Sequence, residues 1–453
     1  MACKTIMFQG TSSGVGKSLI TAAFCRIFAN MGLRVAPFKA QNMSLNAIVC
    51  PNGGEISIAQ YLQARASRIL PDVRMNPILL KPTGSKKSQV IALGKVVDTI
   101  NYGEYYKRSE ENFKIVLDAF ESLKKEYDVI ILEGAGSPAE INLEKFDIVN
   151  MRLADKLKAP VFIVSDIDRG GVFASMKGTF DLVNNRYKPL IKGFIINKFR
   201  GDITLLKPAI DMFKKIINVK IVGVVPYIDN LILEDEDSQF IKTNKKGSEK
   251  SVRIGVIKLR HMSNFTDFYP LLSIENVLLE YIDNPYNLSN HDLIIIPGTK
   301  STVNDLLYLK KRGFFDALKN LMGKVWIMGI CGGFQVMGSN IIDKSIEFNE
   351  DVKMQGLNFF DMTTKFDGDK LTSYNKYKGV NQLKGCDVVG YEIHNGKSTI
   401  NNNYEQLLER KDLFIIDKKN KLIGTYLHGI FNNLDVVRFV LSLISKDVII
   451  NKD

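Results

Sequence analysis

Tryptophan, histidine and cysteine are scarce in this sequence of 453 residues, which contains one Trp, four His and five Cys. The cysteines are odd in number, scattered and never spaced as CxxC, which argues against a disulfide framework and a zinc site. No apolar run reaches the ~18 residues that a membrane helix needs, and the beginning, MACKTIMFQG, lacks a signal-peptide core. We therefore expect a cytoplasmic protein with reduced thiols and no membrane segment.

The net charge of +12 does not come from a block of basic residues. The excess is mostly lysine, often beside asparagine, and it is spread along the whole chain. No arginine-rich or aromatic-interleaved patch of the kind that binds nucleic acid stands out. We expect a solvated lysine-rich surface and no nucleic-acid partner, with some of the charge free to attract an acidic substrate.

Short apolar, β-branched runs alternate with longer helical stretches in the first half of the chain. Runs that are apolar throughout are typical of strands buried on both faces of a parallel sheet. The pattern predicts a doubly wound α/β sheet, in which ligands bind at the carboxyl ends of the strands. The predicted strands are Thr5–Gln9, Arg34–Phe38, Val129–Glu133, Val161–Asp166, Gly193–Asn197 and Ile221–Val225.

A polar segment, EDEDSQFIKTNKKGSEKS at residues 234–251, interrupts this pattern and predicts a linker or surface connection. We therefore predict one domain over residues 1–233 and a second over residues 252–445. The second domain is also expected to be α/β. Its predicted strands are Val252–Leu259, Leu293–Ile296, Val325–Ile330 and Leu422–Tyr426.

The sequence GTSSGVGKS follows the first predicted strand and precedes a predicted helix. Backbone N–H groups of such a loop surround phosphate oxygens, a lysine neutralises β/γ-phosphate charge and a hydroxyl binds Mg²⁺. The loop is one residue longer than the usual P-loop and resembles that of dethiobiotin synthetase, which uses ATP to phosphorylate a carboxylate. The predicted ATP-binding residues of the loop are Gly10, Thr11, Ser13, Gly14, Val15, Gly16, Lys17 and Ser18.

Other predicted strands end in polar residues that belong near the same phosphates. Glu133 ends an apolar strand and is expected to bind Mg²⁺ together with Ser18. Lys39 follows the second strand and is a candidate for contacting phosphate or a substrate carboxylate. Asn197 ends another strand, and the resemblance implies that its amide reads the adenine edge.

The sequence VWIMGICGG predicts a strand that runs into a cysteine flanked by glycines, followed by a helix from Phe334 to Asn340. This is the cysteine counterpart of the G-x-S-x-G nucleophile elbow, a strained turn that exposes its nucleophile. We therefore predict Cys331 as a catalytic thiol. The backbone N–H groups of Gly298 and Gly332 are the expected oxyanion hole.

A thiol nucleophile needs a base, and His428 in GTYLHGIF is the predicted one. A cysteine followed by a histidine about a hundred residues later matches class I glutamine amidotransferases. That class usually has a glutamate two residues after the histidine, where this chain has Ile430. The third member of the triad is therefore absent or comes from elsewhere, and His394 in GYEIHNG is an alternative base.

With both motifs placed, the chain resembles the cobyric acid synthase family of cobalamin biosynthesis over essentially its whole length. The resemblance implies a dethiobiotin-synthetase-like domain, a glutaminase-like domain, ATP and Mg²⁺ as cofactors, and glutamine as the nitrogen source. It also implies amidation of four carboxylates of adenosylcobyrinic acid a,c-diamide. The segments that carry it include FKAQNMSLN, LEGAGSPAEINL, SDIDRGGVFAS, SNFTDF, PGTKST, GICGGFQVMG and GYEIH.

Three alternatives remain at this point: the sister enzyme that amidates the a and c carboxylates, an amidase of a peptidoglycan precursor, and a P-loop regulatory protein with an inactive glutaminase domain. For a corrinoid polycarboxylate, we expect a pocket near Lys39, Asn42, Asn46 and the segment Asp166–Arg169. The oligomeric state is open.

Overall fold

The computed structural model describes residues 3–44, 46–82, 87–228, 251–348, 350–368 and 370–445. The chain divides into two compact units, which lie within Met1–Ser238 and Gln239–Asp453. Apart from Ser251, the predicted linker lies outside the described residues, so the predicted domain boundaries stay predictions.

The first unit begins with a strand, a phosphate-type loop and a helix, and alternates helices and strands from there. Its strands are β1 Lys4–Gly10, β2 Val35–Phe38, β3 Gln41–Met43, β4 Ala47–Val49, β5 Glu55–Ser57, β6 Ile78–Pro82, β7 Lys87–Ala92, β8 Lys95–Asn101, β9 Val129–Glu133, β10 Val161–Asp166, β11 Ile191–Phe199 and β12 Ile221–Pro226. Its helices are α1 Lys17–Asn30, α2 Ile58–Ala66, α3 Tyr102–Lys107, α4 Ser109–Lys124, α5 Met151–Leu157, α6 Val172–Leu182 and α7 Ile203–Ile216.

Six of these strands form a parallel sheet in the order β12-β11-β10-β1-β9-β2. All five residues of β9 and nearly all of β10 are buried, as expected for strands covered on both faces. Strand β1 lies between β10 and β9, so the loop that follows it emerges at the middle of the carboxyl edge. All six strands predicted for this half are confirmed, with bounds that differ by a few residues at most.

A second, mixed sheet of the first unit has the order β3-β6-β7-β8, and β4 and β5 form a separate antiparallel pair. Several of these strands are three residues long or mix polar with apolar residues, and none of them was among the predicted strands. Strand β5 leads directly into α2, and two glutamine side chains of α2, Gln60 and Gln63, contact Glu133 at the end of β9.

The second unit is also built on a largely parallel sheet. Its strands are β13 Val252–Ile257, β14 Val277–Ile282, β15 Leu293–Ile296, β16 Trp326–Ile330, β17 Asn340–Lys344, β18 Asp351–Gln355, β19 Met362–Phe366, β20 Leu371–Lys378, β21 Asp387–His394, β22 Lys397–Ile400, β23 Glu405–Gln406, β24 Phe414–Asp417 and β25 Leu422–Thr425. Its helices are α8 Tyr269–Leu272, α9 Thr302–Lys311, α10 Phe314–Leu321, α11 Gly332–Val336 and α12 Leu434–Ile444.

The main sheet of this unit has the order β14-β13-β15-β16-β25-β24-β23, parallel from β14 to β25 and antiparallel beyond. The four strands predicted for this half are confirmed within it. The helix predicted over Phe334–Asn340 is wrong in its extent: α11 ends at Val336 and Asn340 begins β17. The chain leaves the helix because the N–H of Ser339 bonds the carbonyl of Met362 in a neighbouring sheet.

All five cysteines are unpaired, and Cys25, Cys50 and Cys331 are buried. Burial raises the pKa of Cys25 to about 12, which leaves that thiol protonated and structural. None of the helices in the described ranges is both long enough and apolar enough to span a bilayer.

Candidate active sites

The predicted phosphate loop lies between β1 and α1. Its lysine, Lys17, is 7% exposed, and its ammonium donates to the carbonyls of Ser12, at 2.9 Å, and Gly136, at 3.1 Å. At the start of the loop, the N–H of Thr11 bonds Val164 at 3.0 Å, and its hydroxyl lies 3.1 Å from that of Ser165. The loop is thus anchored to β10 while its lysine points across to the end of β9.

The carbonyl groups of the loop are held from β11, the second strand from β1. Asn197 donates its amide to the carbonyl of Val15 at 2.8 Å, and Lys198 donates to Gly14 at 2.7 Å. Gly16 has φ of +96°, and a Cβ there would lie 2.1 Å from the Asn197 amide nitrogen. Only glycine therefore fits this position. Asn197 is 1% exposed, so in this structure it braces the loop, and its predicted contact with adenine stays a prediction.

Glu133, at the end of β9, is the centre of a buried polar network. Its carboxylate accepts hydrogen bonds from Ser18 at 2.7 Å, Lys39 at 3.1 Å and Gln63 at 2.5 Å. Burial alone would raise its pKa, but the charge of Lys39 and the bonds from Gln63 and Ser18 hold the pKa of Glu133 below its ordinary value. The carboxylate is therefore ionised beside the phosphate loop.

The structure places the predicted residues Lys17, Ser18, Lys39, Glu133 and Asn197 at the carboxyl ends of β1, β2, β9 and β11, and it joins Ser18 and Lys39 directly to Glu133. It also adds two side chains that the sequence analysis missed, Gln60 and Gln63 of α2, with Gln60 3.5 Å from the Glu133 carboxylate. Their spacing of three residues on a helix was the available signal, because such residues share a face.

The residues predicted to contact a corrinoid differ in their exposure. Lys39, Asn42 and Asn46 are 0%, 1% and 3% exposed, and Asn42 bonds Ser57 at 2.6 Å. Asp168 and Arg169, in contrast, are exposed. These contacts stay predictions.

A magnesium ion fits the donors present at this site. The hydroxyl of Ser18 and the carboxylate of Glu133 are hard oxygen donors, 2.7 Å apart, beside the phosphate loop. Mg²⁺ typically takes only one or two protein oxygens and completes its shell with phosphate and water. Over the part of the chain that the structure describes, no group of three or more His, Cys, Asp or Glu side chains is placed to hold a metal by itself.

In the second unit, Cys331 occupies a strained turn between β16 and α11. Its φ of +50° and ψ of −110° are rare for a residue with a side chain, and its N–H bonds the carbonyl of Thr425 at 2.7 Å. A Cβ at Gly333 would lie 2.0 Å from the carbonyl oxygen of Ile296, so this turn also needs a glycine. The geometry is that of a nucleophile elbow.

His428 faces this thiol and is held by a carboxylate. Its Nδ1 lies 2.7 Å from Oδ2 of Asp267, whose other oxygen accepts the N–H of Gly429 at 2.7 Å. Burial would lower the pKa of His428, but Asp267 and Cys331 together raise it to about 10. His428 is therefore placed to act as the acid–base partner of the Cys331 nucleophile.

Asp267 is the partner that the sequence analysis could not name. It is 2% exposed and belongs to the segment SNFTDF, which was noted only for its resemblance. The expected glutamate position, Ile430, carries no acid. The carboxylate instead comes from 161 residues earlier in the chain.

The two glycines predicted as an oxyanion hole lie beside these groups. A Cβ at Gly298 would be 2.7 Å from Cε1 of His428, and one at Gly332 would be 3.1 Å from the N atom of Thr299. The loop after β15 and the start of α11 are therefore in contact next to the thiol. The role of their N–H groups stays a prediction.

His394, the alternative base, has other partners. Its Nδ1 bonds the carbonyl of Gly396 at 2.7 Å, its Nε2 lies 3.5 Å from the Glu392 carboxylate, and its ring packs 4.4 Å from the ring of Tyr426. Of the two histidines, His428 has the shorter contact with an acid, at 2.7 Å, and it interacts electrostatically with Cys331. The geometry therefore favours His428 as the base.

Two family models match the chain, one in each unit. Residues 6–240 match the CobQ/CobB/MinD/ParA nucleotide binding domain, and residues 253–436 match the CobB/CobQ-like glutamine amidotransferase domain. These matches confirm the predicted combination of a P-loop domain with a glutamine amidotransferase domain.

Curated proteins named cobyric acid synthase are similar over nearly the whole chain. The one from Clostridium novyi (strain NT) is 44% identical, with 99% of this chain and 90% of that protein covered. Those from Clostridium botulinum (strain ATCC 19397 / Type A) and Caldanaerobacter subterraneus subsp. tengcongensis are 46% and 42% identical, with 95% and 99% of this chain and 88% and 91% of the relatives covered. The predicted resemblance is confirmed, and the chain belongs to the cobyric acid synthase family.

Proposed function

We propose that this chain amidates the b, d, e and g side-chain carboxylates of adenosylcobyrinic acid a,c-diamide, using ATP and glutamine, in cobalamin biosynthesis. The proposal is based on one observation: this member of the family contains two candidate half-sites, one for ATP and one for glutamine. One unit holds a phosphate loop facing a buried carboxylate, and the other holds a cysteine elbow with a His–Asp pair. The unpaired cysteines support a reducing, cytoplasmic location.

In the first unit, the acceptor carboxylate is activated by phosphoryl transfer. A carboxylate is a poor electrophile, because its charge is delocalised and oxide is a poor leaving group. The γ-phosphoryl group moves to a carboxylate oxygen, giving an acyl phosphate and ADP. Lys17 neutralises charge on the phosphates and the N–H groups of residues 13–18 bind phosphate oxygens. Ammonia then attacks the acyl carbon and phosphate leaves.

Ser18 and Glu133 would hold Mg²⁺ in this unit. When bound, the ion supplies charge neutralisation for the transferring phosphoryl group. Lys39, Gln60 and Gln63 keep the Glu133 carboxylate ionised and fixed in place. Asn197 stabilises the conformation of the loop by donating a hydrogen bond to the carbonyl of Val15.

In the second unit, glutamine supplies the ammonia. The Cys331 thiolate attacks the side-chain carboxamide carbon, and the resulting oxyanion is bound by the N–H groups of Gly298 and Gly332. His428 gives its proton to the departing ammonia, leaving a glutamyl thioester. His428 then takes a proton from water, which hydrolyses the thioester and releases glutamate. Asp267 orients the ring and stabilises its charged form throughout.

Incubation of the corrin diamide with ATP, Mg²⁺ and glutamine tests the proposal by mass spectrometry. We expect intermediates that gain one amide at a time, up to four. Cobyrinic acid without its a and c amides is the comparison substrate, because the sister enzyme would act on that molecule instead. If neither corrin is amidated, the proposed substrate is wrong.

Two variants separate the half-sites. Cys331→Ala should lose glutamine-dependent amidation and keep amidation fed by free ammonia, because it removes only the nucleophile of the glutaminase. Lys17→Ala should lose amidation with either nitrogen source, because no acyl phosphate forms. Glutamine-dependent activity in Cys331→Ala, or normal ammonia-dependent turnover in Lys17→Ala, would contradict these roles.

A further inference from the structure

The first unit contains a cavity of about 300 Å³ that the roles above do not use. Its walls come from the segment after β9 (residues 135–151), from β3, from α3, and from the end of α6 with the residues that follow it. Most of the lining is apolar or aromatic. The apolar and aromatic side chains of the lining include Met43, Tyr105, Tyr106, Ile141, Phe146 and Tyr187.

One end of this cavity reaches the phosphate loop. Gly136 lines the cavity, and its carbonyl oxygen accepts the hydrogen bond from the Lys17 ammonium at 3.1 Å. A molecule that fills the cavity therefore has an end close to the lysine expected to hold the γ-phosphate. This is the position that a carboxylate must reach to be phosphorylated.

The order of the sheet assigns the two sides of the phosphate loop to different ligands. Strand β1 has β10 and β11 on one side and β9 on the other, and Asn197, the residue predicted to contact adenine, is at the end of β11. The loop that forms the cavity follows β9. The cavity is thus on the side left for the acceptor.

Of the three acids that line the cavity, Glu140, Glu144 and Asp147, the last two already accept hydrogen bonds within the protein. Asp147 accepts the N–H groups of Val149 and Asn150, at 2.9 and 2.7 Å, and Glu144 accepts the amide of Asn184 at 2.9 Å. A neighbouring depression of about 600 Å³ shares Ile141, Glu144 and Tyr187 with the cavity. Its other lining residues are Asn142 and the cations Lys145, Arg152 and Arg186, of which Arg152 and Arg186 also form ion pairs with Glu110 and Asp155.

We propose that this cavity and the adjoining depression bind the acceptor, taking one apolar edge of a corrin macrocycle in the cavity and its neighbouring carboxylates against the cations. The proposal rests on the proposed function. A cavity of this volume holds an edge of such a molecule, not the whole of it. Each edge in turn brings one carboxylate to Lys17. The rim is open, with Ile141 and Met43 67% and 45% exposed, which suits a ligand that must be released and turned.

The variant Ile141→Asp tests the proposal, because this side chain is exposed and an added carboxylate there repels a polyanion. We expect the KM for the corrin diamide to rise at least about ten-fold, while the KM values for ATP and glutamine stay unchanged. Tyr106→Ala should act in the same direction by removing part of the apolar wall. The matched control is Leu205→Asp on α7, an equally drastic change at an 80% exposed position outside the cavity.

Unchanged corrin KM in both variants would overturn the subsite and leave the proposed function standing. A rise in the KM for ATP instead would assign the cavity to the nucleotide and also overturn it. A wild-type protein that amidates no corrin would refute the proposed function, and this proposal with it.

A second feature, in the other unit, is a buried carboxylate in the first turn of α9. Asp305 is 0% exposed, and its oxygens accept the hydroxyl of Thr299 at 2.5 Å and the N–H of His261 at 3.2 Å. The imidazole Nδ1 of His261 lies 3.1 Å from the same carboxylate. The Asp305 side chain therefore links the segment that contains Thr299 to the segment that contains His261.

Both segments carry parts of the glutaminase site. Thr299 directly follows Gly298 and packs against Gly332, while His261 begins the segment that leads to Asp267. Two backbone bonds join the same segments: Lys300 N–H to the carbonyl of His261, at 2.9 Å, and Ser263 N–H to the carbonyl of Gly298, at 2.9 Å. The carboxylate thus fixes the loop that bears the oxyanion donor relative to the segment that bears Asp267.

We infer that Asp305 is a positioning residue for glutamine hydrolysis, acting through Thr299 on the oxyanion loop. The inference rests on the proposed glutaminase role. Thr299→Val keeps the shape of the side chain and removes the hydroxyl, and Asp305→Asn removes the charge. We expect both to lower kcat for glutamine hydrolysis at least about ten-fold with little change in KM, because a displaced donor weakens the transition state most.

Three readouts separate this role from a general loss of structure. Ammonia-dependent amidation should be unchanged, alkylation of Cys331 by iodoacetamide should proceed at the wild-type rate, and Thr299→Ser should restore kcat. Wild-type kcat in Thr299→Val and Asp305→Asn would overturn the inference. So would an equal loss in Thr299→Ser, or the loss of iodoacetamide reactivity. A wild-type protein that releases no glutamate would refute the glutaminase role itself.

Discussion

The Nδ1 atom of His428 lies 2.7 Å from the carboxylate of Asp267, and the same carboxylate receives the N–H of the next residue, Gly429. Both side chains are buried, with almost no solvent contact. The pair replaces the glutamate that usually follows the histidine by two positions in class I amidotransferases. The geometry supports the proposed triad of thiol, imidazole and carboxylate, with the acid coming from a distant segment.

Asp267→Asn should lower glutaminase kcat by roughly 10²–10⁴-fold, because an amide neither stabilises the imidazolium nor fixes its tautomer. Glutamate release measures the loss. Ammonia-dependent amidation in the same variant is the control and should be unchanged. Glutaminase activity near that of the wild type would remove Asp267 from the triad.

The raised pKa of His428 predicts how this unit responds to pH. The folded pKa of about 10 is above the ~6.5 of an exposed histidine, so folding is favoured by proton binding. The contribution of the pair to stability is full below about pH 6.5 and is lost as the pH rises towards about 10. The melting temperature of the wild type relative to the double variant Asp267→Asn/His428→Gln should therefore fall across that window. A constant difference would contradict the raised pKa.

The buried pair Lys39–Glu133 predicts a contrast between single and double variants. Glu133→Gln leaves an ammonium with 0% exposure facing a neutral amide and should cost about 3–5 kcal/mol of unfolding free energy. Lys39→Met/Glu133→Gln removes both charges and should recover most of that stability in a urea titration. Both variants should be inactive in amidation, because each lacks the Glu133 carboxylate that is the proposed Mg²⁺ ligand. Amidation activity in the double variant would contradict that role.

Gly16→Ala should disable the phosphate loop. The added Cβ would lie 2.1 Å from the Asn197 amide nitrogen, and φ of +96° is itself strained for alanine. We expect loss of ATP binding, measured by calorimetry, and a lower melting temperature. Asn197→Ala added to this variant removes the clash but not the strained φ, so only part of the stability should return. Gly32→Ala is the control, because φ there is +83° with no atom within 4 Å of the added Cβ.

Much of the fold follows from local sequence. Strands such as Val129–Glu133, which is apolar up to its final glutamate, and Leu293–Ile296, which is apolar throughout, were placed correctly in parallel sheets by that pattern alone. The phosphate loop and the cysteine elbow are also local, because each needs glycines at fixed offsets from a lysine or a thiol. Their position at the carboxyl edge of a sheet follows from the strand that precedes each of them.

Burial and long-range pairing were decided only by the tertiary structure. Lysine is usually found at protein surfaces. Lys39 is nevertheless wholly buried, because β2 ends beside β9 and the Lys39 ammonium pairs with Glu133. Asp267 lies in a segment without a recognisable acid motif, and it becomes the partner of His428 only when the loop after β13 meets the end of β25. A sequence specifies which side chains follow each strand, whereas the packing of the sheets determines which of those side chains meet.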